Sequence, residues 1–272
     1  MNLNHTIFLS FKIRSEYQEA YDFEIYDVPK SLVYFSKYRS VLYGAIGVYL
    51  AFILLGQRWM RNRSPYGLNT ALVFWNAGLA IFSIVSTIRG LPETIYLLSK
   101  PNGIYSIICE HDAHNYATAF WGLMFALSKF VELGDTVFIV LRKQRLIFLH
   151  WYHHITVLLL SWFGYEFADT FAHLYVVNTF VHSFMYTYYA LRALKIKIPR
   201  RVAMLMTILQ ISQMVLYCFV NLYSLFEIGQ GRPCNREASF LYGILLIIAS
   251  YFVLFVNFFV RAYLRPSKTK TQ

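Results

Sequence analysis

The chain has 272 residues, 57% of them hydrophobic and only 14% charged, with a formal net charge of +11. Soluble domains carry roughly a quarter charged residues and just under half apolar ones, so a disordered chain, a collagen-like repeat, a disulfide mini-scaffold and an ordinary soluble domain are excluded. With about 20 apolar residues needed per membrane-spanning helix, a chain of this length holds six or seven spans joined by short loops.

Hydropathy predicts an all-α polytopic membrane protein with seven transmembrane helices, at 38–57, 70–89, 117–141, 146–165, 170–191, 202–225 and 239–264. They form one membrane domain, 38–264, between an N-terminal segment, 1–37, and a basic tail, 265–272. Arg58, Arg61 and Arg63 follow the first span; Arg142, Lys143 and Arg145 follow the third. Arg192, Lys195, Lys197, Arg200 and Arg201 follow the fifth, and Arg261, Arg265, Lys268 and Lys270 end the chain. None of these stretches holds an acidic residue, whereas the alternate loops hold Glu93, Glu110, Asp112, Glu166, Asp169, Glu227 and Glu237. By the positive-inside rule the N-terminus is lumenal and the C-terminus cytosolic. The basic excess is thus a topology signal, which argues against a nucleic-acid partner.

The first 37 residues lack the apolar run and small-residue site of a cleavable signal peptide. Asn4-His5-Thr6 is a glycosylation sequon on the lumenal side, and Asn62-Arg63-Ser64 is another that falls in a cytosolic loop. Lys268 and Lys270 have the spacing of the KxKxx signal that retrieves membrane proteins to the endoplasmic reticulum.

Ionisable groups inside spans are expensive and point to function. Span three carries Lys129, Glu132, Asp135 and Thr136 on one helix face, and span four carries His150, His153 and His154 on another. Span five carries Asn178, His182 and Tyr186, and span six Thr207, Gln210 and Gln213. At about 1.5 Å per residue, Glu132, Asp135, His153, His182 and Gln210 all lie about 9–14 Å from the cytosolic ends of their helices. Four helices therefore place polar groups in one layer, and nothing polar in the spans continues it towards the lumen.

The HxxHH string resembles one box of the di-iron desaturases, but only His150, His153, His154 and His182 lie on the cytosolic half, too few for two oxygen-activating irons. A zinc site stays arithmetically open. Neutral imidazole is also a base and a nucleophile near neutral pH. An acyl-imidazole is an activated acyl donor, a chemistry that suits thioesters, and the basic cytosolic loops suit an anionic carrier such as coenzyme A. A seven-helix receptor or transporter is the remaining alternative, disfavoured by the buried Lys/Glu/Asp/His layer.

Four ordered strings resemble the ELO family of very-long-chain fatty acid elongases. They are KxxExxDT (Lys129, Glu132, Asp135, Thr136), HxxHH (150–154), HxxMYxYY (His182, Met185, Tyr186, Tyr188, Tyr189) and TxxQxxQ (Thr207, Gln210, Gln213). The resemblance implies a very-long-chain 3-oxoacyl-CoA synthase of the endoplasmic reticulum that condenses long-chain acyl-CoA with malonyl-CoA, releasing CO2 and CoA. This is the first and rate-controlling step of chain elongation. It further implies that spans two to seven enclose an acyl tunnel, that His153 carries the acyl group, and that His150, His154 and His182 complete the catalytic set. Lys129 and Arg142 match positions at the CoA end, while Glu132, Asp135, Asn178, Tyr186, Tyr189, Gln210 and Gln213 match other substrate-facing positions. No bound cofactor and no metal are expected. The expected partners are the two CoA substrates, membrane lipid, and the ketoacyl reductase, dehydratase and enoyl reductase of the cycle, with a homodimer left open. Trp151-Tyr152 between the histidines resembles the group that acts on saturated and monounsaturated chains.

Of three cysteines, Cys218 falls within span six and reads as a small buried apolar group. Cys109 and Cys234 fall in two loops that the charge pattern places on the lumenal face, where oxidising conditions favour a Cys109–Cys234 disulfide.

Overall fold

The computed structural model describes residues 10–110, 113–168 and 173–264. Its helices, in chain order, are α1 (Val28–Lys37), α2 (Arg39–Met60), α3 (Asn69–Leu98), α4 (Gly103–Cys109), α5 (Tyr116–Glu132) and α6 (Gly134–Leu141). They continue with α7 (Phe148–Glu166), α8 (Leu174–Ala193), α9 (Arg200–Gly229) and α10 (Ala238–Phe259), extended by a π turn at Val260–Leu264. The all-α reading needs one addition. Strand β1 (Ser10–Lys12) pairs in parallel with β2 (Ala113–Asn115), Ser10 opposite Ala113, and so fastens the N-terminal segment to the connection before α5. Asn4 and the basic tail lie outside the described residues.

Each expected span coincides with helix over most of its described residues, 170–172 lying outside them, but the helices differ in kind. By length and composition α2, α3, α9 and α10 with its π turn are long and apolar enough to cross a membrane. Of the other three expected spans, α7 and α8 carry histidines and other polar side chains that lower their hydropathy, while the third is apolar but is not one continuous helix. The segment 117–141, expected as one helix, is broken at Leu133 into α5 and α6. Val48, Leu54, Phe74 and Leu246 are each 70–75% exposed, an apolar outer surface that lipid covers and water would not. The chain is a multi-pass membrane protein.

Helices α3 and α8 pack so closely that a Cβ at Gly90 would lie 2.6 Å from the Tyr175 hydroxyl and 2.7 Å from Val176. Helix α2 stays outside, against α6 and α7. One apolar cluster, Leu42, Ala126, Leu158, Trp162 and Tyr165, joins α2 to α5 and α7. A second, Met214, Leu241, Ile244, Ile248 and Tyr251, zips α9 to α10, with Cys218 half-buried at its margin. The Cys109–Cys234 disulfide is present and ties the end of α4 to the loop before α10, where Asn235 N–H also donates to the Cys109 carbonyl at 2.9 Å. Cys109 closes a short helix rather than sitting in an irregular loop.

The expectation that nothing polar in the spans continues the layer towards the lumen fails at the disulfide end, where His173, Asn221 and Ser224 of expected spans five and six are buried. Buried there are Glu24, Glu93, His114, His173, Asn221, Ser224, Glu227 and Arg236. Glu24, in a single 3-10 turn at Asp22–Glu24, is wholly buried and accepts hydrogen bonds from Arg89 Nε, Trp121 Nε1 and Tyr21 N–H, each at 2.8 Å. Burial alone pushes its carboxyl upward; the bonds from Arg89, Tyr21 and Trp121 and the charge of Arg89 outweigh it and hold the carboxyl below its ordinary value. The N-terminal segment is therefore fastened to α3 by an ion pair and to α5 by the Trp121 hydrogen bond.

Removing one partner of such a pair leaves an uncompensated buried charge, so Arg89→Met is expected to cost about 3–5 kcal/mol. Thermal unfolding in detergent measures it. Because Glu24 titrates below its unfolded value, the stabilisation is complete above about pH 5 and is lost as the pH falls through the carboxylate range, a dependence that Glu24→Gln should abolish.

Candidate active site

The polar layer is built around one buried cation. Lys129, near the C-terminus of α5, is 1% exposed. Its Nζ donates to Glu132 Oε1 at 2.7 Å and to Asn178 Oδ1 of α8 at 3.1 Å, and it lies 4.3 Å from the centroid of Phe125. Glu132 Oε1 also receives Ser128 Oγ at 3.4 Å and faces His182 Nδ1 at 3.7 Å. One turn on, both Asp135 oxygens are taken: Trp75 Nε1 donates to Oδ1 at 2.6 Å and the Tyr186 hydroxyl to Oδ2 at 3.0 Å. Gly134 makes this geometry reachable, since a Cβ there would lie 2.6 Å from the Trp75 ring.

The histidines of α7 have unequal surroundings. His150 Nε2 is 2.9 Å from Thr136 Oγ1, which is 2.7 Å from the Tyr49 hydroxyl. His154 is buried behind it, the two rings 4.3 Å apart, and its Nδ1 has no hydrogen-bond partner among the described residues. The His153 ring has no protein hydrogen bond among those residues either, but it is half-buried rather than enclosed, 5.0 Å from the Tyr251 ring. The Tyr251 hydroxyl pairs with Thr156, and the neighbouring Ser250 holds Tyr152 at 2.8 Å.

Three adjoining cavities run through this layer. The central one, about 360 Å³, is lined by His150, His153, His154, His182, Glu132, Asp135, Asn178, Tyr186, Tyr189, Gln210 and Gln213. On one side a space of about 390 Å³ shares Asp135, His150 and Tyr189 with it and adds Arg142, Arg192 and Asn76. On the other a space of about 110 Å³ shares His153, Asn178, Gln213 and Met214, and runs between apolar walls of Phe125, Leu160, Phe240, Ile244 and Ile248. A route thus leads from two arginines, past the histidines, into an apolar slot. Helices α3 and α5 to α10 line it, and α2 contributes nothing.

All but one of the expected catalytic and substrate-facing residues line this route. The exception is Lys129, which the resemblance put at the CoA end: it lines none of the three cavities, and its ammonium is spent on Glu132, Asn178 and Phe125. Arg142 does face a cavity, with Nη2 donating to Asn69 Oδ1 at 2.9 Å. Gln210 Nε2 contacts Met185 Sδ at 3.3 Å, Gln213 is buried between two of the cavities, and Tyr189 is 44% exposed. Trp75, Thr156 and Tyr251 were not singled out in the sequence, and Arg192 was read there only as part of the basic-loop topology signal. A lone indole or phenol in a strongly apolar helix was the available signal for the first and third.

Among the described residues, the acid and histidine donors that converge closely enough to hold an ion are Glu93, His114 and His173, at the disulfide end.

Comparison with known proteins places these residues in a family context. The model of the GNS1/SUR4 (ELO) family matches residues 34–271. The chain is 42% identical over 231 residues to Very long chain fatty acid elongase 6 of Drosophila melanogaster, covering 83% of this chain and 73% of that protein. It is 41% identical over 238 residues to the human protein of the same name, covering 86% and 88%. With human Very long chain fatty acid elongase 3 it shares 36% identity over 279 residues, covering 100% and 98%.

The buried Lys129 network yields a stability prediction. Lys129→Met should cost about 3–5 kcal/mol by leaving Glu132 unpaired, and adding Glu132→Gln should recover a substantial part of the loss. Thermal unfolding of the single and double variants measures this; additive losses would show that the two side chains do not act as a pair.

Proposed function

Because the chain belongs to the GNS1/SUR4 (ELO) family, we propose that it elongates fatty acids as a very-long-chain 3-oxoacyl-CoA synthase, condensing a long-chain acyl-CoA with malonyl-CoA. The observation that supports the residue assignment best is the position of His153. It is the histidine that lines both the central cavity and the apolar slot, and its ring is free of protein hydrogen bonds among the described residues.

In this reading the acyl tail lies in the slot and the CoA phosphates meet Arg142 and Arg192, since guanidinium groups pair well with phosphate. A ring nitrogen of His153 attacks the thioester carbonyl, the C–S bond breaks and CoA leaves as the thiol after taking up the imidazole proton. Malonyl-CoA then loses CO2, and the electron pair of that C–C bond becomes the α-carbon nucleophile. Its attack on the acyl carbon breaks the C–N bond, and the departing imidazole nitrogen takes up one proton from solvent at the arginine-lined mouth, which restores neutral His153. Loss of CO2 makes the condensation effectively irreversible. His150, braced by Thr136 and Tyr49, and His182, facing Glu132, hold the polar walls and handle protons. Lys129 positions Glu132 and Asn178 rather than binding CoA.

The same reading carries the finer expectations: seven spans, an endoplasmic reticulum location, a lumenal N-terminus and a cytosolic C-terminus, so that the arginine-lined mouth opens to the cytosol. The reductases and dehydratase of the cycle are the proposed partners. Trp151-Tyr152 favours saturated and monounsaturated acyl chains.

Elongation of a ladder of acyl-CoAs with labelled malonyl-CoA tests the proposal. The wild type should form 3-oxoacyl-CoA, and folded His153→Ala should lose about 100-fold or more. Turnover within a few-fold of wild type would sink the assignment of His153, and no product from any acyl-CoA would sink the activity itself.

A further inference from the structure

The cluster at the disulfide end stands apart from the acyl route. Glu93 of α3, His114 of β2 and His173, the residue before α8, are each 1–2% exposed, and each offers a ligand atom within 4.8 Å of the other two. Glu93 Oε2 accepts the Asn115 N–H at 3.0 Å, while Oε1 lies 2.7 Å from His114 Nδ1 and 3.9 Å from His173 Nε2.

The protons around His173 can be assigned from its neighbours. The Thr94 hydroxyl has one hydrogen, and it donates to the Gly90 carbonyl at 3.0 Å, a group that can only accept. Thr94 Oγ1 must therefore accept from His173 Nδ1–H, 2.9 Å away. In the neutral ring that leaves Nε2 as a bare lone pair. It is buried, has no hydrogen-bond partner among the described residues and faces the carboxylate of Glu93. Two acceptors that face each other in a site closed to water repel unless a cation lies between them. The backbone of His173 stands at φ 60°, a left-handed conformation uncommon outside glycine.

We propose that Glu93, His114 and His173 form a binding site for a divalent zinc ion. Two imidazoles and one carboxylate are zinc donors, whereas calcium and magnesium take oxygen ligands. With bonds of about 2.0–2.2 Å, two ligands of one tetrahedral ion stand roughly 3.4 Å apart. The 3.9 Å between His173 and Glu93 is close to that spacing and too long for a hydrogen bond. The 2.7 Å between His114 and Glu93 is shorter, so loading parts those two groups by several tenths of an ångström. Thr94 supplies the outer hydrogen bond that orients a ligating histidine through its other nitrogen. The ion would tie α3, β2 and the start of α8 together beside the Cys109–Cys234 bridge, independently of the acyl chemistry.

The full chain is purified in detergent without immobilised-metal chromatography, stripped with chelator and titrated with Zn2+. Metal per chain and the unfolding temperature are read together. The expected result is one zinc per wild-type chain with a raised unfolding temperature, retained in His154→Gln and lost in Glu93→Gln. Thr94→Val, which removes no ligand, should weaken binding by about 10–100-fold. It decides the question even if Glu93→Gln fails to fold. No zinc on the wild type, or equal affinity in wild type and Thr94→Val, overturns the proposal.

Discussion

The bundle depends on the burial of one ammonium group. Within an apolar shell no water is at hand to satisfy Lys129, so its charge must be met by protein atoms, and Glu132, Asn178 and the face of Phe125 meet it. Those contacts fix α5 against α8 at the depth where the histidines of α7 stand. The neighbouring carboxylate, Asp135, is met in turn by Trp75 of α3 and Tyr186 of α8. Four helices are thus registered to one another by hydrogen bonds whose geometry admits little slippage, and the apolar contacts of α9 and α10 close the ring around them.

That constraint separates scaffold from reactive surface. Polar groups spent on one another, as in Lys129, Asp135 and His150, hold the walls. His153 is the histidine of the layer that lines both the central cavity and the apolar slot, and its ring makes no protein hydrogen bond among the described residues. The arrangement suits an amphipathic substrate whose charged end stays outside while its reactive carbon reaches an imidazole. Outside this ring, α2 adds apolar surface, and the N-terminal segment is pinned by Glu24 and Arg89 at the opposite end from the arginines.

Much of this was legible in the chain. The spacing of Glu132 and Asp135, of the three histidines, and of His182 and Tyr186 placed them on facing helix surfaces at one depth. The asymmetry of the basic loops put Cys109 and Cys234 on one face, and the bridge is there. Periodicity could not say towards which neighbour Lys129 would turn, because a helix face seen alone does not reveal whether a partner such as Asn178 waits opposite. The break at Leu133 was hidden for a similar reason: beside it Trp75 packs against Gly134, a contact between residues about sixty positions apart. Glu24, Arg89 and Glu93 were invisible as buried groups because loop and helix-end charges ordinarily meet solvent. Only the docking of the N-terminal segment through β1 and the 3-10 turn buries them.

The central claim is that His153, the histidine shared by the central cavity and the apolar slot, is the reactive member of the polar layer. Mass spectrometry of the purified protein after incubation with acyl-CoA alone tests this most directly. The account predicts an adduct of one acyl group on His153, discharged when malonyl-CoA is added. An acyl group on any other residue, or steady elongation with no acyl-protein at any stage, would contradict it.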